Sequence, residues 1–522
     1  MRRRLILLVV QFTAVLSALV GCASLPSQEG RGESHAIEKT ADTRLGQIAV
    51  RAAAPHPGQS ACMALPDGVE ALVARLALAG RAERSLDLQY YIWHDDLTGR
   101  YLTEALLRAA DRGVRVRVLL DDVGARADDQ VLSSLDAHPN IEIRLFNPVA
   151  WRSLRLLGTA ADFGRVNRRM HNKAFVADNQ VAILGGRNIG DEYFGAPGDV
   201  AFGDLDVLTT GRVVPEVSAS FDRYWNSSHA YPIATLLGRP GDPAQLAALR
   251  GRLANYVAAQ RDSAYASEAT ESWLESRAGN GPRLHWGQVR LLADDPDKIE
   301  LSADEIATQR ATNRSPTASP VRRELLIVSP YFVPGDKGVA ALAALVARGV
   351  RVTVLTNSLA ATDVGAVHAG YARQRKALLV AGVRLYELRP HADKDSEPAA
   401  RRKKDTFGSS RASLHAKTFI FDRESVFIGS LNLDPRSLYL NTEVGLVCES
   451  AALSAMLADG IERGLDSATW QVLLEDDTSG RRLAWMQKDG ETFKKLDAEP
   501  EVGTLRKLGV WLLGLLPIES QL

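Results

Sequence analysis

The chain reads as an α/β protein made of two duplicated α/β/α domains, mixed sheets flanked by helices, that together form one central active site. Three observations predict this. The pattern HxKxxxxD occurs twice, at His171, Lys173 and Asp178 and again at His415, Lys417 and Asp422. RGVRVRVLLDD from Arg112 returns as RGVRVTVLTNS from Arg348, and IEIRLFNP ending at Pro148 is echoed by VRLYELRP ending at Pro390. Around these copies, strand-like apolar runs alternate with helical patterns, which argues for sheets covered by helices on both faces. A repeat this long means two copies of a domain rather than a solenoid.

At 522 residues, 46% hydrophobic and 24% charged, the composition is that of a globular protein with room for two to four domain-sized units. Basic and acidic residues balance at 63 each, and loss of Arg2, Arg3 and Arg4 with a leader leaves 60 basic residues against 63 acidic. A mildly acidic body lacks the basic surface that tracks phosphate backbones, so no nucleic acid partner is expected.

Residues 1–21 read as a lipoprotein signal peptide: three arginines, an apolar run from Leu5 to Val20, then Leu19-Val20-Gly21-Cys22. Those four residues resemble the bacterial lipobox, which makes Cys22 the lipid-modified first residue of the mature chain. The alternative is a simple anchor, although about 16 apolar residues fall short of the roughly 20 needed to span a bilayer. Ala23 after the Cys points to the periplasmic face of the outer membrane in the cell envelope, with the inner membrane as the alternative. Residues 22–58, polar and broken by Pro and Gly, read as a flexible tether. Cys62 and Cys448 have no neighbours at ligand spacing and no disulfide framework is called for, so they read as two unpaired buried thiols.

The folded body begins with a helix at Gly68 to Ala82, whose apolar residues Val69, Leu72, Val73 and Leu76 fall at helical spacing. A strand (Ser85 to Trp93), a helix (Gly99 to Asp111) and a strand (Val114 to Leu120) follow as a βαβ unit. The first domain spans 59–231, a helical insertion 232–285, and the second domain 286–475, opening with a strand at Gln288 to Ala293. In it, Glu324 to Pro330 is a strand, Gly338 to Ala347 a helix, and Ser454 to Leu474 a helix. ATNRSPTASP, ending at Pro320, reads as a loop. Residues 476–522 form a C-terminal segment whose Trp511-Leu512-Leu513, beside Arg506 and Lys507, suits either a membrane interface or a terminal helix docked on the core. Arg401 to Lys404 form a basic cluster that suits anionic headgroups or a solvated loop.

His171 and Lys173 lie two apart in a β-like run, so both side chains share one face of a strand, and His415 and Lys417 repeat the arrangement. Each Asp falls where that strand turns back, before VAILGG or VFIGS, so a hairpin returns Asn188 or Asn432 to the same end. Asp178 and Asp422 complete the signatures and are carried in the catalytic set, with turn formation or pairing to a cation as the competing role. A neutral His attacking phosphorus, a protonated His opposite, and Lys173, Lys417, Asn188 and Asn432 around the non-bridging oxygens suit phosphodiester chemistry without a metal or other cofactor.

With these residues in view, the chain resembles the phospholipase D superfamily from about Cys62 to Glu475. Within it, GGRNIGDEYF (Gly185 to Phe194), SLDLQYYIW (Ser85 to Trp93) and LNLDPRSLYLNTE (Leu431 to Glu443) are similar to bacterial cardiolipin synthases of the C type. The resemblance implies that His171 is the nucleophile and His415 the general acid, later the base. It also implies an acidic residue behind each histidine. Glu443, 28 residues after His415, is the candidate for that histidine, and in GDLDVLT the match of DLDV to NTEV favours Asp206 over Asp204.

The implied substrates are membrane phospholipids. Phosphatidylglycerol or phosphatidylethanolamine would donate a phosphatidyl group to His171, and the hydroxyl of phosphatidylglycerol would accept it to give cardiolipin. Water as acceptor would make the enzyme a hydrolytic phospholipase D, and a non-catalytic scaffold is the third reading. The resemblance also raises a helper protein encoded nearby.

Overall fold

The computed structural model describes residues 25–125, 128–197, 201–278, 283–312, 320–390, 412–477, 480–489, 492–516 and 521. The signal peptide with Cys22, most of the ATNRSPTASP loop and the Arg401 to Lys404 cluster lie outside the described residues.

The first half runs β1 (Ser60–Leu65), helix Gly68–Arg81, β2 (Ser85–Tyr90), helix Leu97–Asp111, β3 (Arg115–Asp121), helix Asp129–Asp136, β4 (Ile141–Phe146), β5 (Ala174–Ala177), β6 (Val181–Gly185), β7 (Ala201–Gly203), β8 (Asp206–Gly211), helix Val214–Asn226 and β9 (Ala230–Pro232). Its sheet order is β1-β8-β6-β5-β2-β3-β4-β9, parallel between β2, β3 and β4 and antiparallel elsewhere.

The second half runs β10 (His285–Ala293), β11 (Glu324–Val328), helix Gly335–Ala347, β12 (Arg351–Asn357), helix Gly365–Val380, β13 (Arg384–Leu388), β14 (Ala412–Leu414), β15 (Thr418–Phe421), β16 (Ser425–Gly429), β17 (Val444–Glu449), helix Ala451–Ala468 and β18 (Thr469–Asp477). Its order, β10-β17-β16-β15-β11-β12-β13-β18, repeats the first with the same three parallel strands. Three helices, Ile233–Leu237, Pro243–Ala259 and Ala264–Ala278, lie between the halves in sequence.

The repeated Arg-Gly pair has a mechanical reason. Gly113 and Gly349 both adopt positive φ, +89° and +86°, just after a helix ends. There the N–H of Gly113 reaches Ala110 O and that of Val114 reaches Ala109 O, while Gly349 and Val350 make the same two bonds to Val346 and Leu345. This left-handed stop satisfies the last carbonyls and turns the chain directly into β3 or β12.

The equivalent strands β1 and β10 pair antiparallel, Ala61 opposite Trp286, so the halves join edge to edge about an approximate twofold. One apolar cluster spans the join, with Val176, Leu184 and Val207 from the first half against Leu326, Ile428 and Leu446 from the second. The two active-site halves are thereby fixed on one scaffold.

Three expectations are corrected. Cys62 and Cys448 are joined in a disulfide, not left as thiols. They are 386 residues apart in sequence, but pairing of β1 with β10 and of β10 with β17 brings their Cα atoms to 6.8 Å.

Residues 25–58 are packed on the body instead of forming a flexible tether, and Arg44–Ala53 is a helix capped by Thr43. Their polarity answers buried polar partners: Arg117 donates to Ser34 O at 2.8 Å, Trp225 Nε1 to Ser34 Oγ at 2.9 Å, and Ala36 N to Asp222 at 2.8 Å.

The helix expected to reach Leu474 stops at Ala468, and the alternating apolar run from Thr469 forms β18. Strands β19 (Gly480–Asp489) and β20 (Thr492–Leu496) extend the second sheet further, and helix Thr504–Gly514 follows.

Candidate active site

The two motifs meet across the join, and backbone pairing sets the meeting point. His171 N donates to Thr442 O at 2.9 Å, and His415 N to Gly203 O at 2.8 Å. Strands β7 and β14, from opposite halves, pair in parallel beside the second contact. Each histidine is therefore tied to the carbonyl just before an acidic residue of the other half.

That tie crosses the carboxylates. His171 Nδ1 lies 2.9 and 3.1 Å from the Glu443 carboxylate oxygens, and His415 Nδ1 lies 2.6 Å from Asp204 Oδ2. A carboxylate beside Nδ1 keeps the proton there and leaves Nε2 for chemistry. Two expectations change as a result. Glu443 backs His171 instead of His415, because partnership is set between the halves and not along the chain. Asp204, not Asp206, backs His415.

Asp206 lies two residues further along, on β8, where it accepts from Arg75 at 2.8 Å and neighbours Arg187 at 3.5 Å. All three side chains are buried, so Asp206 neutralises guanidinium groups under the site.

The repeat differs where the carboxylates differ in length. A Cβ placed on Gly186 would fall 2.0 Å from Asp204 Oδ1, so the shorter acid occupies that space. The corresponding Ser430 instead donates its hydroxyl to Glu443 and accepts from Val444 N at 3.0 Å.

Lys173 and Lys417 are fully buried, and each donates to the carbonyl of its own motif histidine, at 2.7 Å for Lys173. Lys417 Nζ also lies 3.0 Å from His415 Nδ1. Burial pushes the Lys173 ammonium well below its usual range. The same effect, opposed by the Asp204 and Glu443 charges, brings Lys417 down to about 8.

The histidines are not electrostatically equivalent. Burial, reinforced by Lys173 and Lys417, holds His171 well below the ordinary imidazole range. Burial and Lys417 also lower His415, but the Asp204 charge pulls it back up. Burial alone would raise Asp204, yet His415, Lys417 and Arg187 hold it at about 2. Glu443 is raised by burial to about 7, although Lys173 opposes the shift. Both imidazoles are thus biased toward the neutral form, His171 more strongly than His415.

Asp178 and Asp422 do not join the reacting groups, so the expectation that they act in catalysis is corrected. Each opens a hairpin turn at positive φ, 51° and 54°, followed by a second positive-φ residue, Asn179 or Arg423. Each carboxylate accepts three backbone N–H groups at the start of a neighbouring strand: Glu83, Arg84 and Ser85, or Arg322, Arg323 and Glu324. Both therefore fix the hairpin that presents His and Lys.

Asn188 is also engaged within the protein, accepting from Ile92 N at 3.1 Å and donating to Tyr193 OH at 2.9 Å. Asn432 is buried, and its Oδ1 has no partner among the described residues.

Sequence reasoning missed the aromatic walls. Tyr91 meets His171 edge-on at 5.2 Å, and Tyr193 meets His415 edge-on at 5.1 Å. Both lie inside the quoted motifs, in QYYIW and GDEYF, but an aromatic residue next to a strand looks like core until its neighbour is known. Arg436, whose charge also disfavours a protonated His171, was missed because a single arginine in a short helical stretch carries no local sign of what it faces. His94, Asp96 and Glu192 bring three ligand-type atoms within 4.8 Å of one another. Asp96 already accepts from Gly99 N and Asp191 N, which gives that cluster a turn-forming role.

Residues 76–225 and 318–464 match the family described as "Cardiolipin synthase, PLD-like domain". The chain is 43% identical to cardiolipin synthase C of Escherichia coli K12 over 91% of its length and 99% of the relative's. It is 26% identical to cardiolipin synthase B of the same strain, covering 81% of this chain and 83% of that one. The fold matches the crystal structure of phosphatidylserine synthase from Haemophilus influenzae with a TM-score of 0.53 at 14% identity, covering 91% and 100% of the two chains. With two matched regions, one in each half and each carrying a His-Lys motif, this chain belongs to the phospholipase D-like cardiolipin synthase family.

Proposed function

We propose that the protein is a phosphatidyltransferase that makes cardiolipin, using phosphatidylglycerol or phosphatidylethanolamine as donor and phosphatidylglycerol as acceptor. The observation that carries this is the crossed pair of histidine–carboxylate contacts with unequal electrostatics: His171 on raised Glu443, His415 on depressed Asp204.

In the first step Nε2 of neutral His171 attacks the donor phosphorus, and the bond from phosphorus to the headgroup oxygen breaks. Protonated His415 delivers its proton to that oxygen, so the headgroup leaves as an alcohol. In the second step neutral His415 takes the proton from a phosphatidylglycerol hydroxyl, whose oxygen attacks phosphorus as His171 departs. Cardiolipin forms and both histidines return to their starting states. Lys173, Lys417 and Asn432 balance the charge on the non-bridging oxygens, while Asn188 holds Tyr193 against His415.

The reaction sets the protein at a membrane, and Cys22 as a lipidated residue would tether it in the cell envelope, with Ala23 favouring the outer membrane. Among the described residues no helix is long and apolar enough to cross a bilayer. Mass spectrometry of membrane lipids with and without expression is the test. Cardiolipin that rises with the wild type and not with His171→Ala is the expected result. Phosphatidic acid without cardiolipin would make the enzyme a hydrolase.

A further inference from the structure

Two exposed apolar surfaces stand apart from the core, and both lead to the active site. The first is carried by residues 152–166, where Leu154, Leu156, Leu157 and Phe163 face solvent and Leu156 is 88% exposed. The second is helix Thr504–Gly514. Its inner side packs on helix Gly365–Val380, where a Cβ on Gly365 would meet Val510 and Leu513. Its outer side exposes Leu505, Leu508, Trp511, Leu512 and Leu515 at helical spacing. Scattered exposed leucines need no explanation, but contiguous apolar faces on separate elements mark a contact surface.

Residues of the C-terminal segment touch the surroundings of both motifs. Gln521 accepts from Asn167 Nδ2 at 2.7 Å and, through its carbonyl, from Arg436 Nε at 3.2 Å. Asn167 is four residues before His171, and the Arg436 charge reaches that histidine. At the other end, Arg506 donates to Thr362 O at 2.7 Å, beside Asp363, whose charge reaches Lys417. Arg506 of the apolar helix thus reaches the surroundings of the second motif, Gln521 reaches those of the first, and the apolar 152–166 segment leads directly into the first.

We propose that the outer faces of residues 154–163 and of helix Thr504–Gly514 form a two-part membrane-contact surface that seats the active site on a lipid bilayer. This rests on the phosphatidyltransferase reading and adds how lipid reaches the site. A bilayer is favoured over a second copy or a partner protein because, on the phosphatidyltransferase reading, it both covers apolar faces and supplies the substrate. An amphipathic helix with Trp511 on its apolar side and Arg506 and Lys507 beside it has the composition of an interfacial element.

The full chain is reconstituted into vesicles of phosphatidylglycerol and phosphatidylethanolamine. Three forms are compared: wild type, Leu156→Glu with Leu157→Glu, and Leu508→Glu with Leu512→Glu. Each is also given dibutyrylphosphatidylglycerol, which disperses as monomers. The expected result is that either pair lowers turnover of vesicle lipid by about tenfold or more, while turnover of the monomeric lipid stays within about twofold. In vesicles of brominated lipid, wild-type emission is quenched more than that of Trp511→Phe.

Unchanged vesicle turnover with no quenching of Trp511 overturns the proposal. Equal loss on both substrates also overturns it, because the faces would then be structural. Loss of a dimer in the glutamate variants overturns it in favour of a second copy. A wild type that is quenched by brominated lipid yet makes no cardiolipin sinks the phosphatidyltransferase reading and leaves the membrane surface standing.

Discussion

Glu443, carried by the second half of the chain, holds Nδ1 of His171 in the first half at 2.9 Å. Asp204 of the first half returns the arrangement to His415 at 2.6 Å. Neither half contains a complete catalytic histidine, so an active site exists only when the halves are joined. The two carboxylates differ as well, Glu443 being raised to about 7 and Asp204 held at about 2, and the proposed division into nucleophile and acid rests on that difference.

Removing the charges should therefore give distinct defects. Glu443→Gln is expected to lower kcat by about 10²-fold or more, by releasing His171 from its orientation. Asp204→Asn should cost a similar factor with a natural donor. With an activated p-nitrophenyl phosphodiester, whose leaving group needs little protonation, Asp204→Asn should recover most of that loss and Glu443→Gln should not. Steady-state rates on the two donors measure this, and equal losses on both would remove the division of roles.

Asp178 and Asp422 should matter for folding and not for chemistry. Asp178→Ala leaves three backbone N–H groups without their acceptor and is expected to cost about 1–3 kcal/mol, read by thermal unfolding. Asp422 is more exposed, so its substitution should cost less. Turnover per folded molecule should stay within about twofold for both. Asp206→Asn should be the most damaging of the three, by about 3–5 kcal/mol, because it strands the buried guanidinium groups of Arg75 and Arg187.

Activity against pH should be bell-shaped and centred on the acid side of an ordinary histidine. The productive form has neutral His171 and protonated His415. Because His171 is held well below its usual range, the acid limb is reached only at low pH. Because burial and Lys417 lower His415 as well, the alkaline limb also falls early, delayed by Asp204. Asp204→Asn removes that delay and should move the alkaline limb to lower pH, while the acid limb changes less. A profile of kcat/KM for wild type and variant decides it.

The Cys62–Cys448 bridge closes a loop of 386 residues and ties the two halves beside their shared edge. Cys62→Ser should lower stability by about 2–5 kcal/mol, and added reductant should destabilise the wild type but not the variant. Such a bridge also fits an oxidising compartment.

The duplication, the α/β alternation and the identity of His171, Lys173, His415 and Lys417 are legible in the amino-acid order alone. These follow from local periodicity and from motif copies that can be aligned without coordinates. Even the helix stops at Gly113 and Gly349 are legible, since a left-handed position favours glycine whatever surrounds it. Which acid serves which histidine emerges from the packing of the two halves. Asp204 and Asp206 are chemically identical and two residues apart, and the pairing of His415 N with Gly203 O selects the first. The same holds for the disulfide and for residues 25–58, whose polar side chains look solvated until Arg117, Asp222 and Trp225 are seen to receive them. Contacts between distant segments depend on how two sheets join, and no local pattern in the chain encodes that join.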